Sequence, residues 1–254
     1  MRTLMYHDIA VRAERDKVGF SGPLAARYKL EPDFFEAHLD ALKVTGLALA
    51  ADGIAREEPQ VLLTFDDGGS SAMLIADALE RRGWRGHFFV TTGRIASPGF
   101  LTAEQIRELA ARGHGVGSHS DTHPTYMGRL SRSELDREWR VSRHALGELL
   151  ASAPASASVP GGFLSRELIA AAAAAGYERL FTSEPTARVR HAELAVHGRY
   201  TIWSSTPPGV AAAYASGRPL PCLRLWLEWN AKKLAKTASP AAYQALRRVR
   251  ARRS

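Results

Sequence analysis

The chain has 254 residues, of which 45% are hydrophobic and 24% charged, as in an ordinary soluble globular protein. Its single cysteine, Cys222, excludes an internal disulfide, and no apolar run approaches the roughly 18 residues of a membrane span. The net charge of +8 lies entirely in residues 222–254, where nine basic side chains accompany one acid, so the neutral body of residues 1–221 does not resemble a nucleic-acid-binding domain.

Strand and helix signals alternate along residues 2–182. Apolar, β-rich runs predict strands at residues 2–6, 61–65, 87–91, 116–118, 158–159 and 180–182. Apolar stripes and capping residues predict helices between them, namely from Pro32, after a Ser70 cap, from Thr102 to Arg112, from Ser131 to about Leu150 and from Ser165 to Ala175. This order implies a mostly parallel sheet, and about seven strands favour an α/β barrel over an open sheet. His38, opposite the apolar stripe of its helix, is expected at the surface.

Polar clusters follow two of these strands, at the position where barrel enzymes carry their catalytic residues. Asp66 and Asp67 follow one strand, and His119 and His123 lie in the loop after another. Two histidines and one carboxylate suit a divalent metal, and Asp67 is the natural third ligand, leaving a fourth position open for water, as in catalytic zinc sites. The alternatives are a turn with helix-capping acids and ordinary loop histidines.

Residues 64–68 (TFDDG) and 119–124 (HSDTHP) resemble the first two signature motifs of the polysaccharide deacetylase family, carbohydrate esterase family 4. With the opening Tyr6–Asp8 and the strand at 87–90, the resemblance covers about residues 3–205. It implies a distorted (β/α) barrel and metal-dependent removal of N-acetyl groups from aminosugars. The family's metal triad corresponds to Asp67, His119 and His123, and its general base to Asp66. The implied cofactor is a divalent metal, zinc in the first place, with cobalt or manganese as alternatives.

The third and fifth motifs depart from the family pattern. Ser158 stands where the family has an arginine that orients the base, and Arg166 is a candidate substitute, with a solvent-facing position as the alternative. Leu194–His197 is a loose counterpart of the fifth motif with a spacing one residue too long, and it makes His197 the candidate catalytic acid. Three residues are candidates for substrate binding: His7, Pro160 and Gly161.

The C-terminal segment has a composition of its own. We predict a catalytic barrel at residues 1–205, a linker at 206–221 and a basic amphipathic tail at 222–254. Leu223, Trp226, Leu227 and Trp229 beside basic residues indicate a helix suited to an anionic membrane surface. The alternative is a helix that packs on the barrel with a solvated basic end. No nucleic-acid partner is expected.

These observations predict a hydrolase that removes N-acetyl groups from an aminosugar-containing glycan or a lipid-linked precursor, in glycan or exopolysaccharide assembly. The N-terminus shows no signal-peptide core, which predicts a cytoplasmic protein, peripheral to the inner membrane face if the tail binds lipid. The alternative is a barrel that has lost turnover and serves as a glycan-binding or scaffolding protein. Ser158 in place of arginine supports this alternative, whereas the intact Asp66 argues against it.

Overall fold

The computed structural model describes residues 1–50, 60–186, 189–190 and 194–238. The strands of this part of the chain are β1 Arg2–Tyr6, β2 Ala48–Ala50, β3 Gln60–Phe65, β4 His87–Val90, β5 Gly115–Ser118, β6 Ser156–Ser158, β7 Arg179–Phe181, β8 Val189–Arg190, β9 Ala195–His197 and β10 Tyr200–Thr201. The helices are α1 Pro23–Ala26, α2 Pro32–Lys43, α3 Ala72–Glu80, α4 Ala103–Ala111, α5 Arg132–Leu150, α6 Arg166–Ala174, α7 Pro208–Ser216 and α8 Pro219–Ala238.

The strands form one curled sheet in the order β10-β1-β3-β4-β5-β6-β7-β9-β8. The eight strands from β10 to β9 run parallel, β8 is antiparallel to β9, and β2 pairs with the beginning of β3. The sheet makes a half-barrel with helices against it, which confirms the predicted distorted (β/α) barrel. All carboxyl ends of the parallel strands meet at one edge.

The two faces of β3 have different surroundings because successive side chains point to opposite faces of a strand. Leu63 and Phe65 belong to the large core between sheet and helices. Leu62 lies on the other, concave face, where it packs with Phe89 and Phe181 in a small apolar cluster. The concave face therefore has an apolar floor beneath the strand ends.

Three of the predicted helix starts are confirmed, at Thr102, Ser131 and Ser165, and one is wrong. Thr102 and Ser131 each form the predicted capping box at the start of α4 and α5. The residue at the N-cap position of α3 is Ser71, not Ser70, and its side chain does not cap the helix because its hydroxyl donates to Asp8 Oδ1 at 2.6 Å. A buried carboxylate elsewhere in the fold thus competes for the hydroxyl.

His38 is fully buried, so its predicted surface position is wrong. Its Nδ1 lies 3.2 Å from the Tyr6 hydroxyl, and its Nε2 lies 2.8 Å from the carbonyl oxygen of Thr206. The apolar stripe of α2 did not predict this burial, because α7, which follows Thr206, covers the side of α2 that carries His38.

The segment predicted as a linker, 206–221, instead contains α7, which packs against α2 and β1. Its Ala211 and Tyr214 are buried in the main core, together with Leu225 of α8. The chain therefore continues as packed helices where an open connection was predicted. Within the described ranges, no helix combines the length and apolar character needed to cross a bilayer.

Candidate functional site

The predicted metal ligands lie together at the carboxyl edge of the sheet. Asp67 follows β3, and His119 and His123 lie in the loop after β5, two strands away in the sheet. Asp67 Oδ1 is 3.4 Å from Nε2 of His119 and 3.4 Å from Nε2 of His123. One ligand atom from each residue lies within 4.8 Å of the other two. The structure thus brings the three side chains into one group.

The geometry of this group fits a divalent metal. Bonds of about 2.0–2.1 Å at tetrahedral angles place neighbouring ligand atoms roughly 3.3–3.5 Å apart, close to the spacings between Asp67 and the two histidines. His119 Nδ1 lies 3.0 Å from the carbonyl oxygen of Ser158, which can only accept, so Nδ1 carries the proton. The Nε2 lone pair of His119 is then directed to the group, as a metal ligand requires.

Three residues of the site have left-handed backbone conformations that non-glycine residues seldom adopt. The φ angles are 81° at Asp67, 63° at Ser120 and 59° at His123. Such conformations cost of order 1–3 kcal/mol each and persist only where the surroundings impose them. Ser120 helps to impose the loop, since its backbone N–H donates to Ser118 Oγ and its Oγ accepts the His123 N–H, both at 3.1 Å.

Asp66 lies beside the metal group and pairs with an arginine that sequence analysis missed. The Arg199 guanidinium donates to both carboxylate oxygens of Asp66, at 2.6 and 2.8 Å. It also donates to Ser158 Oγ at 2.7 Å and to Thr64 Oγ1 at 3.2 Å. Ser158 in turn donates to Asp66 at 3.1 Å. The base candidate is therefore held in a closed set of hydrogen bonds.

Arg199 lies against Asp66, as was expected of the motif-three arginine, but it comes from a different place in the chain. It lies between β9 and β10 and its side chain is fully buried. Ser158, where an arginine was expected, is small enough to leave room for it. The predicted substitute, Arg166, is wrong, since Arg166 is the exposed first residue of α6. A signal for Arg199 was its position between apolar strand residues, where a cation needs a buried acid.

The two neighbouring carboxylates are both held in the ionised form. Burial acts to raise the pKa of Asp66, but the charge and the hydrogen bonds of Arg199 outweigh it and lower that pKa below its ordinary value. Burial acts in the same direction on Asp67, where the close approach of His119 and His123 lowers the pKa well below the ordinary value. Adjacent acids can thus both remain charged because Asp66 pairs with Arg199 and Asp67 lies between the two histidines.

His7 and His197, the other predicted site histidines, lie at different depths. His7 follows β1, and its Nδ1 is buried without a hydrogen-bond partner. Burial lowers the pKa of His7, against the charges of Asp67 and Asp66, so its ring is neutral at pH 7. His197 is buried and stacks on Phe181, which packs with Leu62 in the apolar cluster of the concave face.

The turn predicted to bind substrate lies beside the metal loop. Pro160 is buried, and Gly161 is exposed with a φ of 69°. A side chain at Gly161 would come within 3.2 Å of the Thr125 carbonyl oxygen, just after His123. The structure places this turn at the rim of the site, and the roles of Pro160 and Gly161 stay predictions.

The sequence matches a known family over half its length. The sequence profile of the polysaccharide deacetylase family matches residues 53–180. YxkH of Bacillus subtilis, described as a polysaccharide deacetylase, is 29% identical over 167 residues, which are 61% of this chain and 59% of that protein. A chitooligosaccharide deacetylase of Bradyrhizobium is 30% identical over 119 residues, 46% of this chain and 52% of that protein. The chain thus spans little more than half the length of these relatives.

The fold has solved counterparts. The Streptococcus pyogenes deacetylase PplD, solved in complex with acetate, superimposes with a TM-score of 0.69 at 21% identity. The superposition covers 82% of this chain and 94% of that one. At this identity the likeness establishes the shared fold.

Proposed function

Because the chain belongs to the polysaccharide deacetylase family, a family of hydrolases, we propose that it is a metal-dependent N-deacetylase of an aminosugar-containing glycan. The observation that carries this proposal is the arrangement of two adjacent carboxylates with separate surroundings. Asp67 lies with His119 and His123, whereas Asp66 lies outside that group and pairs with Arg199. One carboxylate is thus suited to bind a metal, and the other to accept a proton.

Each residue of the site has a proposed task. Asp67, His119 and His123 would hold the ion, with zinc favoured over cobalt or manganese by the mixed histidine and carboxylate donors. A bound divalent ion would activate a water molecule and polarise the acetamide carbonyl. Asp66 takes the proton of the attacking water, and the fork of Arg199 fixes the orientation of its two oxygens.

The two further histidines have separable tasks in this proposal. His7, neutral and with a buried Nδ1 beside the carboxylates, suits a hydrogen bond to the sugar. His197 remains the predicted proton donor to the leaving amine. Its ring is buried against Phe181.

The surroundings of Asp66 argue against the alternative of an impaired, scaffolding protein. Its main support was the serine at position 158, which left the base without a cationic neighbour. Arg199 provides that neighbour at 2.6 Å from Asp66, and a binding module has no need of a buried base held in this way. We therefore favour the enzyme.

The substrate class follows from the family and is tested directly. We expect purified protein with added Zn2+ to release acetate from N-acetylglucosamine oligomers, and His119→Ala to release none. His197→Gln should lower kcat by about 10²–10⁴-fold if His197 is the acid, whereas His7→Gln should chiefly raise KM. An unchanged kcat in His197→Gln would reject the acid assignment. Absence of acetate release from every acetylated oligomer tested, at metal saturation, would favour the scaffolding protein.

We also propose that α8 makes a peripheral contact with an anionic membrane surface, where a lipid-linked or exopolysaccharide precursor would be met on the cytoplasmic side. One side of α8 packs on the body through Leu225, and Trp229 stacks on Phe163. Three leucines spaced on its other side, Leu220, Leu223 and Leu227, are 80, 52 and 54% exposed. This stripe lies where the excess positive charge of the chain begins, which matches anionic headgroups.

Replacing Leu220, Leu223 and Leu227 together by Gln should abolish sedimentation with phosphatidylglycerol vesicles. The matched control is Val44→Gln with Leu74→Gln, two exposed apolar residues, one directly after α2 and one on α3. Each basic residue near such a surface contributes about 1 kcal/mol, so binding of the unaltered protein should fall at high salt. Equal binding by the triple variant, or none by the unaltered protein, would leave α8 as a packing helix.

A further inference from the structure

We propose that Glu138, a residue of α5, is a positioning residue that fixes the spacing of the two histidines in the metal group. This inference rests on the proposed metal site. Glu138 lies 15 residues beyond His123 in the chain and is only 4% exposed. It belongs to neither motif that identified the site. A buried carboxylate must be compensated by hydrogen bonds, so its partners show what it holds.

All three hydrogen bonds of Glu138 go to the two residues in the middle of the loop between the histidines. Its Oε2 accepts the backbone N–H groups of Asp121 and Thr122, at 3.0 and 2.8 Å. Its Oε1 accepts the hydroxyl of Thr122 at 2.6 Å. One rigid helix therefore holds the centre of the loop whose two ends carry His119 and His123.

This loop needs an external support. Ser120 and His123 both have left-handed backbone conformations, which the isolated chain would leave. On its other side the loop is held by residues 92 and 93. The Thr92 hydroxyl donates to Asp121 Oδ1 at 2.9 Å, and the backbone N–H groups of residues 92 and 93 donate to the carbonyl oxygens of residues 120 and 121 at 3.2 and 2.9 Å. The Glu138 bonds are charge-assisted, and such bonds are roughly twice as strong as neutral ones. Glu138 thus contributes three charge-assisted bonds to the centre of the loop from a single side chain.

A purely structural role and a positioning role make different predictions. If Glu138 only satisfied buried donors, its loss would lower stability and leave metal affinity unchanged among the molecules that remain folded. If Glu138 fixes the conformation of the loop, its loss should weaken metal binding. Part of the binding free energy would then be used to bring Nε2 of His119 and Nε2 of His123 together. Residues that orient metal ligands typically contribute 10- to 100-fold in affinity.

The test is a competition titration of Zn2+ into the full chain. We expect Glu138→Ala to raise the Kd by about 10- to 100-fold. Glu138→Gln should recover most of the affinity, since its oxygen can accept both backbone N–H groups while its amide donates to the Thr122 hydroxyl. The Co2+ form should lose the intense visible bands of a tetrahedral site in Glu138→Ala and keep them in Glu138→Gln.

The matched control is Glu134→Ala, four residues earlier on α5. Glu134 caps that helix through Ser131, so its removal lowers helix stability without touching the loop. If Glu138→Ala does not fold, Thr122→Val, which removes one of the three bonds, should still weaken Zn2+ binding. Unchanged Kd in the folded Glu138 and Thr122 variants would overturn the inference. Failure of the unaltered protein to bind Zn2+ would instead overturn the proposed metal site itself.

Discussion

Replacing Asp66 by Asn should lower the rate of acetate release by about 10²–10⁴-fold while the protein still binds its metal. The amide keeps the shape of the side chain but cannot take a proton from water. Asp67, His119 and His123 remain, so metal content measured after dialysis should equal that of the unaltered protein. His119→Ala should lose metal and activity together.

The stability of Asp66→Asn must be measured beside its activity. The substitution leaves Arg199 buried without its anion, and breaking a buried ion pair in this way costs about 3–5 kcal/mol. A fall in Tm is therefore expected, and assays belong well below it. If Asp66→Asn lost metal as completely as His119→Ala, the proposed division of tasks between the two carboxylates would be wrong.

Local sequence patterns predicted the metal group because each of its parts is short. Asp67 ends an apolar strand, and a parallel sheet places all such ends at one edge. His119 and His123 lie four positions apart, in a loop whose Pro124 excludes a helix. The long-range information required was that β3 and β5 lie near each other. The alternation of strands and helices predicted this.

Arg199 could not be found in this way because its partner lies 133 residues earlier in the chain. The contact exists only because β9 pairs with β7 while β10 pairs with β1, which curls the sheet and sets Arg199 over Asp66. No periodicity within residues 195–201 encodes that pairing. Arg166 was the nearer candidate in sequence, and the fold directs it to solvent.

The surroundings of His38 show the same limit. Its burial depends on α7, a helix in the segment where an open linker was predicted. Four alanines and Tyr214 at 211–215 gave no amphipathic stripe, since this helix is apolar on most sides. A helix with little polar surface is itself a sign of burial, and that sign would have identified the packing partner of α2.

Exchanging the residues at positions 158 and 199 should show whether Asp66 requires only a neighbouring positive charge or requires it at position 199 of the chain. Arg199→Ser removes the cation and should lower kcat by about 10²-fold, in line with the loss of an oriented base. It should also lower stability by about 3–5 kcal/mol, because Asp66 is left as an unpaired buried charge. Ser158→Arg combined with Arg199→Ser restores a cation at the family's position, next to Asp66, in the space that Arg199 vacates.

The sign of the pH dependence follows from the pKa of Asp66. In the unaltered protein Arg199 lowers this pKa below 3.8, although burial acts to raise it. Ionised Asp66 therefore stabilises the folded protein above pH 3.8, and this stabilisation is lost as the pH falls through the lowered pKa. In Arg199→Ser burial is opposed only by weaker charges, so the pKa rises. The acid limb of the kcat/KM profile should then move to higher pH, and stability should fall instead of rise as the pH increases through that limb.

The double variant should return both properties towards those of the unaltered protein, with kcat at least tenfold above that of Arg199→Ser. Ser158→Arg alone is the control, because it forces a second cation into a site already filled by Arg199 and should be destabilised by like charge and overpacking. Recovery in the double variant would show that Asp66 requires a cation at this place, whichever strand provides it. If the acid limb of Arg199→Ser did not move, Arg199 would hold the fold together without tuning the base.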